Sequence, residues 1–440
     1  MSDQPARPPY DPAAEVVGLC SDLIRIDTTN AGDREGPGER KAAEHVAGLL
    51  DEVGIAVEVV ELFPGRTQLI ARWGGDGRRD DALLVHGHLD VVPAEATDWQ
   101  VHPFSGEVVD GYVWGRGAVD MKDFDAMVLS VVRARARAGV VPSRPLVLCF
   151  TADEEAGGSY GALPLVEQRP ELFDGCTEAI GEVGGFSVDV RGRRMYLVES
   201  AEKGMSWMRL SARGRAGHGS MINPDNAVTA LAQAVARIGT HQWPVRLTPT
   251  MQVLLAGVGE LAGVEATPDN AEALVEEFGG AARMLGAVLR NTTNPTMLNA
   301  GYKVNVIPTE ATAHVDGRFL PGFEDEFFDT LAELCGEQVE VEVLTKQPPW
   351  EMPYDGALVD AMTRSVLAED PDALVAPYLM SGGTDAKYFG RLGLRTYGFT
   401  PLRLPADLDF TALFHGVDER VPTDALEFGA SVLDRLLEDV

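Results

Sequence analysis

The sequence is poor in cysteine and in long apolar runs, and each shortage excludes a class of protein. Its four cysteines, Cys20, Cys149, Cys176 and Cys335, lie far apart and form no CxxC pair. This spacing predicts buried free thiols in a cytosolic protein and excludes a disulfide framework or a zinc knot. No stretch approaches the roughly 18 consecutive apolar residues that a membrane span needs. The polar, proline-rich residues 1–15 lack the apolar core of a secretory signal, so we predict a cytoplasmic location.

Basic residues are also scarce. The chain has 37 lysines and arginines against 68 aspartates and glutamates, which gives a formal net charge of −31. Such a surface repels phosphate backbones and anionic lipid, so we expect neither nucleic acid nor a membrane as a partner. With 440 residues and 45% hydrophobic content, the chain is long enough for two domains, or for one large domain with an insertion.

Strand-like apolar runs alternate with helical patterns in the first part of the chain. The patterns predict helices over 12–53 (with an internal loop), 120–139 and 160–168, and strands over 56–62, 68–73, a run ending at residue 88, and 146–151. Alternation of this kind indicates an α/β sheet. In such sheets ligands collect at the carboxyl ends of the strands.

A different order begins near residue 201. The predicted elements are a strand over 205–212, a helix over 226–238, strands over 302–306 and 311–319, a helix over 324–334 and a strand over 339–344. This is the βαββαβ order of a ferredoxin-like domain. The stretch 246–298 has no place in it and is predicted to be an irregular insertion. Because the α/β pattern resumes afterwards, we predict a catalytic domain in two parts, 1–200 and 347–440, with the second domain inserted at 201–346.

The feature richest in chemical information is an apolar strand that ends in His86-Gly87-His88-Leu89-Asp90. Side chains alternate along a strand, so His88 and Asp90 lie on one face. The pair suits a metal ligand whose ring and tautomer are held by a carboxylate. It also suits a histidine that caps a strand and an aspartate that caps a turn. His86 shares the face, and we predict that it is a structural neighbour.

Asp120 follows a glycine-rich turn and precedes a helix. A carboxylate at this place can bridge two cations, or it can serve as an N-cap, which is a common use of aspartate. The residues alone leave both readings open. Lys122 and Asp123 are predicted to be surface charges of the first helical turn.

Further carboxylates follow apolar runs later in the chain. Glu154 and Glu155 would repel each other, which raises the pKa of one unless a cation compensates. One can bind a metal while the other acts as general base, or the pair can form a solvated acidic loop. Glu182 and His415 are weak signals singly. Two histidines and several carboxylates at strand ends are nevertheless the ingredients of a two-metal hydrolytic centre.

The remaining candidates lie in the second half of the chain. His218, in a Gly-His-Gly-Ser turn, can donate a hydrogen bond to an oxyanion or lie in a surface loop. Asn305 and Arg318 lie on predicted strands. Arg318 can grip a substrate carboxylate bidentately or form a structural ion pair. The loop 381–385 can hold an anion with its amides or form an ordinary turn.

Together these motifs resemble one family very closely. It is the co-catalytic zinc metallopeptidase family that includes aminoacylase, acetylornithine deacetylase, succinyl-diaminopimelate desuccinylase, glutamate carboxypeptidase and carnosine dipeptidase. The matched segments are 87–93, 114–122, 151–155, 217–220, 304–308 and 381–385. They occur in the same order as in the family and cover nearly the whole chain.

The resemblance implies a zinc-peptidase-like catalytic domain with two zinc ions, for which cobalt or manganese can substitute. Its implied ligands are His88, Asp120 and Glu182 for one ion, and Asp120, Glu155 and His415 for the other. Asp120 is therefore shared. Glu154 is implied as general base and acid, and Asp90 as the residue that orients His88.

The resemblance also implies roles for the inserted domain as a lid and dimerisation domain. His218 would reach the active site of the partner subunit in a homodimer and stabilise the oxyanion. Asn305, Arg318, Gly383 and Thr384 would grip the substrate carboxylate. The expected reaction is hydrolysis of an amide bond beside a free carboxylate, in a small N-acyl amino acid or a short peptide.

Two other classes of function compete with this hypothesis. A two-metal phosphoesterase would use similar ligands, but the acidic surface and Arg318 favour an amide that carries a carboxylate. A catalytically inactive binding or scaffold protein is the second alternative. The presence of all five implied ligands and of Glu154 argues against it.

Overall fold

The computed structural model describes residues 10–32, 36–75 and 80–440. The first nine residues of the polar N-terminal stretch lie outside them. The α-helices of the described residues are α1 (Val16–Ile24), α2 (Arg40–Asp51), α3 (Lys122–Ala138), α4 (Ala162–Gln168), α5 (Ala227–Thr240), α6 (Pro249–Ala262), α7 (Ala271–Val275), α8 (Ala282–Gly286), α9 (Glu324–Cys335), α10 (Ala357–Glu369), α11 (Ala386–Phe389) and α12 (Thr423–Asp439). The β-strands are β1 (Val57–Phe63), β2 (Arg66–Trp73), β3 (Ala82–His88), β4 (Val108–Val109), β5 (Tyr112–Trp114), β6 (Leu146–Thr151), β7 (Cys176–Gly181), β8 (Phe186–Val190), β9 (Arg193–Glu202), β10 (Gly204–Arg213), β11 (Gly217–His218), β12 (Thr292–Ala300), β13 (Val306–Ile307), β14 (Glu310–Phe319), β15 (Val339–Gln347), β16 (Trp350–Glu351), β17 (Leu374–Met380), β18 (Arg395–Gly398) and β19 (Arg420–Pro422).

A large mixed sheet forms the centre of the α/β part. Its strand order is β1-β2-β6-β3-β7-β18-β9-β16, with β8 and β17 also paired to β9. Strands β6, β3, β7 and β18 run parallel to one another, whereas β2 and β9 on either side of them are antiparallel to β6 and β18. Strand β3 is buried along its whole length, which is why its sequence is a nearly continuous apolar run. Because parallel strands end at the same edge of a sheet, the residues that follow β3, β6 and β7 come together there.

A smaller antiparallel sheet has the order β12-β14-β10-β15. Helices α5 and α9 cover one face of it, and apolar side chains such as Met208, Leu210, Phe319 and Phe327 form the core between them. Along the chain the order is β10-α5-β12-β14-α9-β15, which is the predicted βαββαβ order. The α/β fold class is therefore confirmed.

The second strand of this smaller sheet was predicted in the wrong place. We expected it at 302–306, but it is β12, which pairs with β14 from Thr292 opposite Arg318 to Ala300 opposite Ala311. Residues near 306 form only the short β13, which pairs with β11. Pro308 directly follows β13 and has no N–H to donate to a longer ladder.

The stretch 246–298 is not irregular, because it contains helices α6, α7 and α8 and the first part of strand β12, so that prediction was also wrong. In α6, Met251, Leu254, Leu255 and Val258 repeat at helical spacing, and all four are buried. They pack into the apolar core of the large sheet, together with residues of α7 and α8. Helix α6 therefore lies against the large sheet, whereas α5 and α9 cover the small one. The division into domains at 200 and 346 stays a prediction.

Lys122 and Asp123 are buried, which contradicts the prediction of surface charges. Helix α3 packs between α1 and α12, so its first turn lies inside the molecule. Lys122 Nζ donates to the carbonyl oxygens of Leu23 at 3.1 Å and Ile26 at 2.9 Å. Burial raises the pKa of Asp123 well above its usual range.

The structure confirms the prediction of free thiols. Cys20, Cys149 and Cys335 are buried, Cys176 is partly buried, and none forms a disulfide. Over the residues that the structure describes, no helix has both the length and the apolar character required to cross a bilayer.

Candidate active site

His88 ends strand β3 with its ring buried. Its Nε2 lies 3.1 Å from Asp120 Oδ1 and 3.3 Å from Glu182 Oε2. Its Nδ1 lies 3.0 Å from the carbonyl oxygen of Asp90, but 3.7 Å from the carboxylate of the same residue. The contact that orients the ring therefore comes from the main chain of Asp90, and it leaves Nε2 facing the carboxylates.

The carboxylate of Asp90 has a different set of partners. It accepts hydrogen bonds from the main-chain amides of Glu154 at 3.1 Å and Glu155 at 3.2 Å, and from Asn30 Nδ2 at 2.9 Å. Arg66 in turn donates to Asn30 Oδ1 at 2.7 Å. Asp90 thus holds the turn that carries the glutamate pair. Sequence reasoning did not identify Asn30 or Arg66, since no local pattern connects them to the site.

Asp120 lies between two histidines. Its Oδ1 faces His88, and its Oδ2 lies 3.2 Å from Nε2 of His415. The same His415 Nε2 is 3.0 Å from Glu155 Oε2. Helix α3 starts at Lys122 and has no side-chain cap, so the N-cap reading of Asp120 is wrong. The carboxylate of Asp120 therefore contacts His88 through one oxygen and His415 through the other.

Four carboxylates crowd together at this edge of the sheet. Burial, followed by the charge of Glu182, raises the pKa of Glu154 well above its usual range. Burial and the nearby Asp120 raise the pKa of Glu155 to about 7, and burial raises that of Glu182. Burial alone would raise the pKa of Asp120, but hydrogen bonds with the two histidines lower it. Burial and mutual repulsion therefore disfavour the charged forms of Glu154, Glu155 and Glu182 when no cation is present.

The donor set fits metal ions. Ligand atoms of His88, Glu154 and Glu182 lie within 4.8 Å of one another, as do those of His88, Asp120 and Glu155. Imidazole nitrogens and carboxylate oxygens are ligands for zinc and similar divalent cations. Glu154 Oε2 is 4.0 Å from His88 Nε2, farther than the oxygens of Asp120 and Glu182. This position leaves Glu154 beside the ligand groups.

A buried ion pair connects the two loops that carry Asp120 and His415. Glu419 accepts hydrogen bonds from Arg116 NH1 at 2.6 Å and from the main-chain amide of Val119 at 2.8 Å. Arg116 NH2 also donates to the carbonyl oxygen of His415 at 3.4 Å. Glu419 was missed by sequence reasoning, because it lies about 300 residues from Arg116 and no motif joins them.

The cleft above the cluster has a volume of about 550 Å³. The cluster carboxylates and His415 line one side, and Gly383 lines the cleft as well. Thr384 is buried instead, and its amide donates to Glu202 Oε1 at 2.9 Å. The structure thus brings Gly383, but not Thr384, to the cleft.

His218, Asn305 and Arg318 belong to the region of the small sheet and do not line this cleft. His218 is exposed, and its Nδ1 lies 2.8 Å from Ser220 Oγ. Asn305 lies close to it, since its carbonyl oxygen accepts from Gly219. Arg318 donates to both carboxylate oxygens of Asp316, at 2.8 Å and 3.2 Å. Within a single chain, Arg318 therefore forms a structural ion pair with Asp316, which the sequence left open as the alternative to binding a substrate carboxylate.

Comparison with known proteins agrees with this geometry. Residues 84–439 match the model of the peptidase family M20/M25/M40. The chain belongs to this family. It is 29% identical over 385 residues to a probable carboxypeptidase S-like 2 of Dictyostelium discoideum, covering 80% of this chain and 70% of that one. It is 27% identical over 396 residues to human aminoacylase-1, covering 88% and 86%.

Among solved structures, an M20 family metallo-carboxypeptidase of Sulfolobus solfataricus superposes with a TM-score of 0.73. The sequences are 17% identical, and the alignment covers 97% of this chain and 99% of that one. The likeness confirms the fold. Membership of the M20/M25/M40 family makes the protein a hydrolase of the exopeptidase class that acts on amide bonds.

Proposed function

We propose that the protein hydrolyses an amide bond beside a free carboxylate, in N-acyl amino acids or short peptides. The observation that carries the proposal is the sharing of Asp120 between His88 and His415, with Glu154 Oε2 4.0 Å from His88 Nε2. Carboxypeptidase and aminoacylase are the names of relatives, and both names denote cleavage of such amides.

The ligand groups fit two zinc ions, which cobalt or manganese can replace. His88, Asp120 and Glu182 would hold one, and Asp120, Glu155 and His415 would hold the other. When bound, such a pair supplies Lewis acidity and lowers the pKa of a coordinated water. The raised pKa of Glu154 suits a group that takes a proton from water and passes it to the leaving amine. The carboxylate of Asp90 keeps Glu154 in place by accepting a hydrogen bond from the main-chain amide of Glu154.

We further propose that the small sheet is a lid and that the protein works as a homodimer. His218 is exposed and lies outside its own chain's cleft, which suits a residue that acts in a partner subunit. In that position it would stabilise the oxyanion, while Asn305, Arg318, Gly383 and Thr384 would hold the substrate carboxylate. The division at 200 and 346 is part of this proposal.

The test is incubation of zinc-loaded protein with a pooled library of N-acyl amino acids and dipeptides, followed by mass spectrometry. Glu154→Gln should retain zinc and lose about 10²- to 10⁴-fold in turnover, because it removes the base alone. Glu427→Gln on the exposed face of α12 is the matched control. Normal turnover of Glu154→Gln contradicts the assignment of the base. Zinc binding without any turnover, or phosphate release from model esters, favours the binding-protein or phosphoesterase alternative.

The dimer is tested by complementation. His218→Ala should turn over slowly, and mixing it with Glu154→Gln should restore activity. In a mixed dimer, the intact Glu154 site receives an intact His218 from the other subunit. Absence of restoration, with mixed dimers shown by mass spectrometry, contradicts the cross-subunit role.

A further inference from the structure

A second, much smaller cavity adjoins the carboxylate cluster. Its volume is about 10 Å³, which is room for about one water-sized sphere. The polar residues that line it are Asp123, Glu182 and Thr400, and apolar side chains such as Phe186 and Phe410 form the rest of the wall. Glu182 lines the large cleft as well. Whatever occupies this cavity, called the Asp123 cavity below, therefore contacts a proposed ligand of the zinc site.

The three polar residues come from separate segments of the chain. Asp123 lies in the first turn of α3, Glu182 directly follows β7, and Thr400 follows the end of β18 by two residues. The segments after β7 and β18 are joined by their main chains, because the amide of Thr400 donates to the carbonyl oxygen of Gly184 at 2.6 Å. An occupant bound to all three side chains would also connect α3 to these two strand ends.

Polar atoms of this lining have no partner in the part of the chain that the structure describes. Asp123 is fully buried, and neither of its carboxylate oxygens has a hydrogen-bond partner of acceptable geometry. The hydroxyl oxygen of Thr400 is buried and unpartnered as well. The adjacent amide of Phe124 lowers the pKa of Asp123, but burial outweighs it. Because buried polar groups in native proteins are nearly always satisfied, these atoms require a partner from outside the chain.

The charges around the cavity favour a cation as that partner. The neighbouring charged groups that raise the pKa of Asp123 are themselves carboxylates, those of Asp120, Asp125 and Glu419. Lys122 directs its ammonium elsewhere, to main-chain carbonyl oxygens at and just after the end of α1. Among the described residues that line the cavity, none is a lysine, arginine or histidine. A water molecule can donate hydrogen bonds here, but it cannot balance the charge of buried carboxylates.

We propose that the Asp123 cavity binds one dehydrated alkali cation, sodium or potassium, between the carboxylates of Asp123 and Glu182 and the hydroxyl of Thr400. A lining that offers only oxygen atoms suits a hard cation. Magnesium keeps several of its waters and calcium takes six to eight oxygens, so both demand more than a cavity of this size and lining supplies. The bound cation balances the charge of Asp123 and fixes the strand end that carries Glu182.

The experiment compares the thermal unfolding of zinc-loaded protein in sodium chloride, potassium chloride and N-methylglucamine chloride at equal ionic strength. All three salts screen surface charges equally, but N-methylglucamine is too large for the cavity. A ligand that binds only the folded protein stabilises it by mass action. We therefore expect the Tm to be about 1–3 °C higher in at least one alkali salt, with a dependence on concentration that saturates. The salt with the larger shift identifies the ion.

Paired variants locate the effect. Asp123→Asn and Thr400→Val should each abolish the Tm difference between the salts, because each removes an oxygen that binds the ion. Asp125→Asn is the matched control for the first, since Asp125 is also buried with unpartnered oxygens but is not part of the described lining. Thr396→Val is the control for the second, because Thr396 has a buried, unpartnered hydroxyl outside that lining. Both controls should keep the difference.

The outcomes decide the inference without any substrate, so they do not depend on the proposed hydrolysis. Equal Tm values of the unsubstituted protein in the three salts overturn the inference and leave an ordered water only in the cavity. Retention of the difference by Thr400→Val overturns it too, and this variant decides alone if Asp123→Asn does not fold. Loss of the difference in either control also overturns it, because buried polarity in general would then be responsible.

Discussion

Asp90→Asn distinguishes two ways in which Asp90 can act. In the structure its carboxylate holds the amides of Glu154 and Glu155, while its carbonyl oxygen orients His88. An asparagine keeps one acceptor oxygen, which can still serve Asn30 and Glu155. Its NH2 group replaces the other oxygen and meets the Glu154 N–H, which lies 3.1 Å away in the native protein. Two donors then face each other.

The magnitude follows from that single lost contact. A buried donor left without its acceptor costs about 1–3 kcal/mol. If the displacement of Glu154 appears wholly in the activation barrier, turnover falls about 5- to 150-fold. Zinc affinity should change little, because His88 keeps its hydrogen bond to the main chain of residue 90.

The assay measures kcat on an amide cleaved by the native protein, together with zinc affinity by competition with a chelator. Asp98→Asn, at an exposed aspartate, is the matched control and should change neither quantity. A fall of about 10- to 100-fold in zinc affinity, with unchanged kcat per bound zinc, would refute the reasoning. That result would mean that the Asp90 carboxylate acts through His88.

Three further predictions concern stability. Glu419→Ala leaves Arg116 buried without its partner carboxylate, so the free energy of unfolding measured in urea should fall by about 3–5 kcal/mol. An unchanged midpoint of the urea unfolding curve would contradict this prediction. Gly279 has φ 55° and ψ −118°, so Gly279→Ala should lower the free energy of unfolding by about 1–3 kcal/mol. Gly286→Ala is the control, because α8 has free space there, and it should leave the free energy of unfolding unchanged or raise it by up to about 1 kcal/mol. Equal effects of the two substitutions would refute the backbone argument. In metal-free protein, hydrogen bonds to two neighbouring carboxylates raise the pKa of His415 from 6.5 to about 10. Its stabilising charge is therefore complete below the lower value and lost as pH rises through the higher one, so the Tm difference between the unsubstituted protein and His415→Ala should shrink over that range. A pH-independent difference would contradict the assignment.

The local pattern of the chain was sufficient to predict β3 and β6, two of the strands that carry the site, but not β7, which Glu182 follows. An apolar run of the right length, ended by polar residues, predicts a buried strand wherever it occurs, and β6 was predicted with the bounds that the structure has. His88 and Glu154 lie just where β3 and β6 end at the shared edge. Glu182 and His415 are weak signals singly, and their roles as ligands came from the resemblance.

The tertiary structure decided whatever depends on contacts between distant parts of the chain. The choice of β12 as partner of β14, the burial of Lys122 and the placement of Gly383 in the cleft all depend on what packs against each segment. The pairing of Glu419 with Arg116 is a contact of the same kind. A sequence pattern reports the period and polarity of its own residues, and these determine the strands, the helices and the candidate ligands. Which face meets which neighbour depends on residues hundreds of positions away, and that information exists only once the chain has folded.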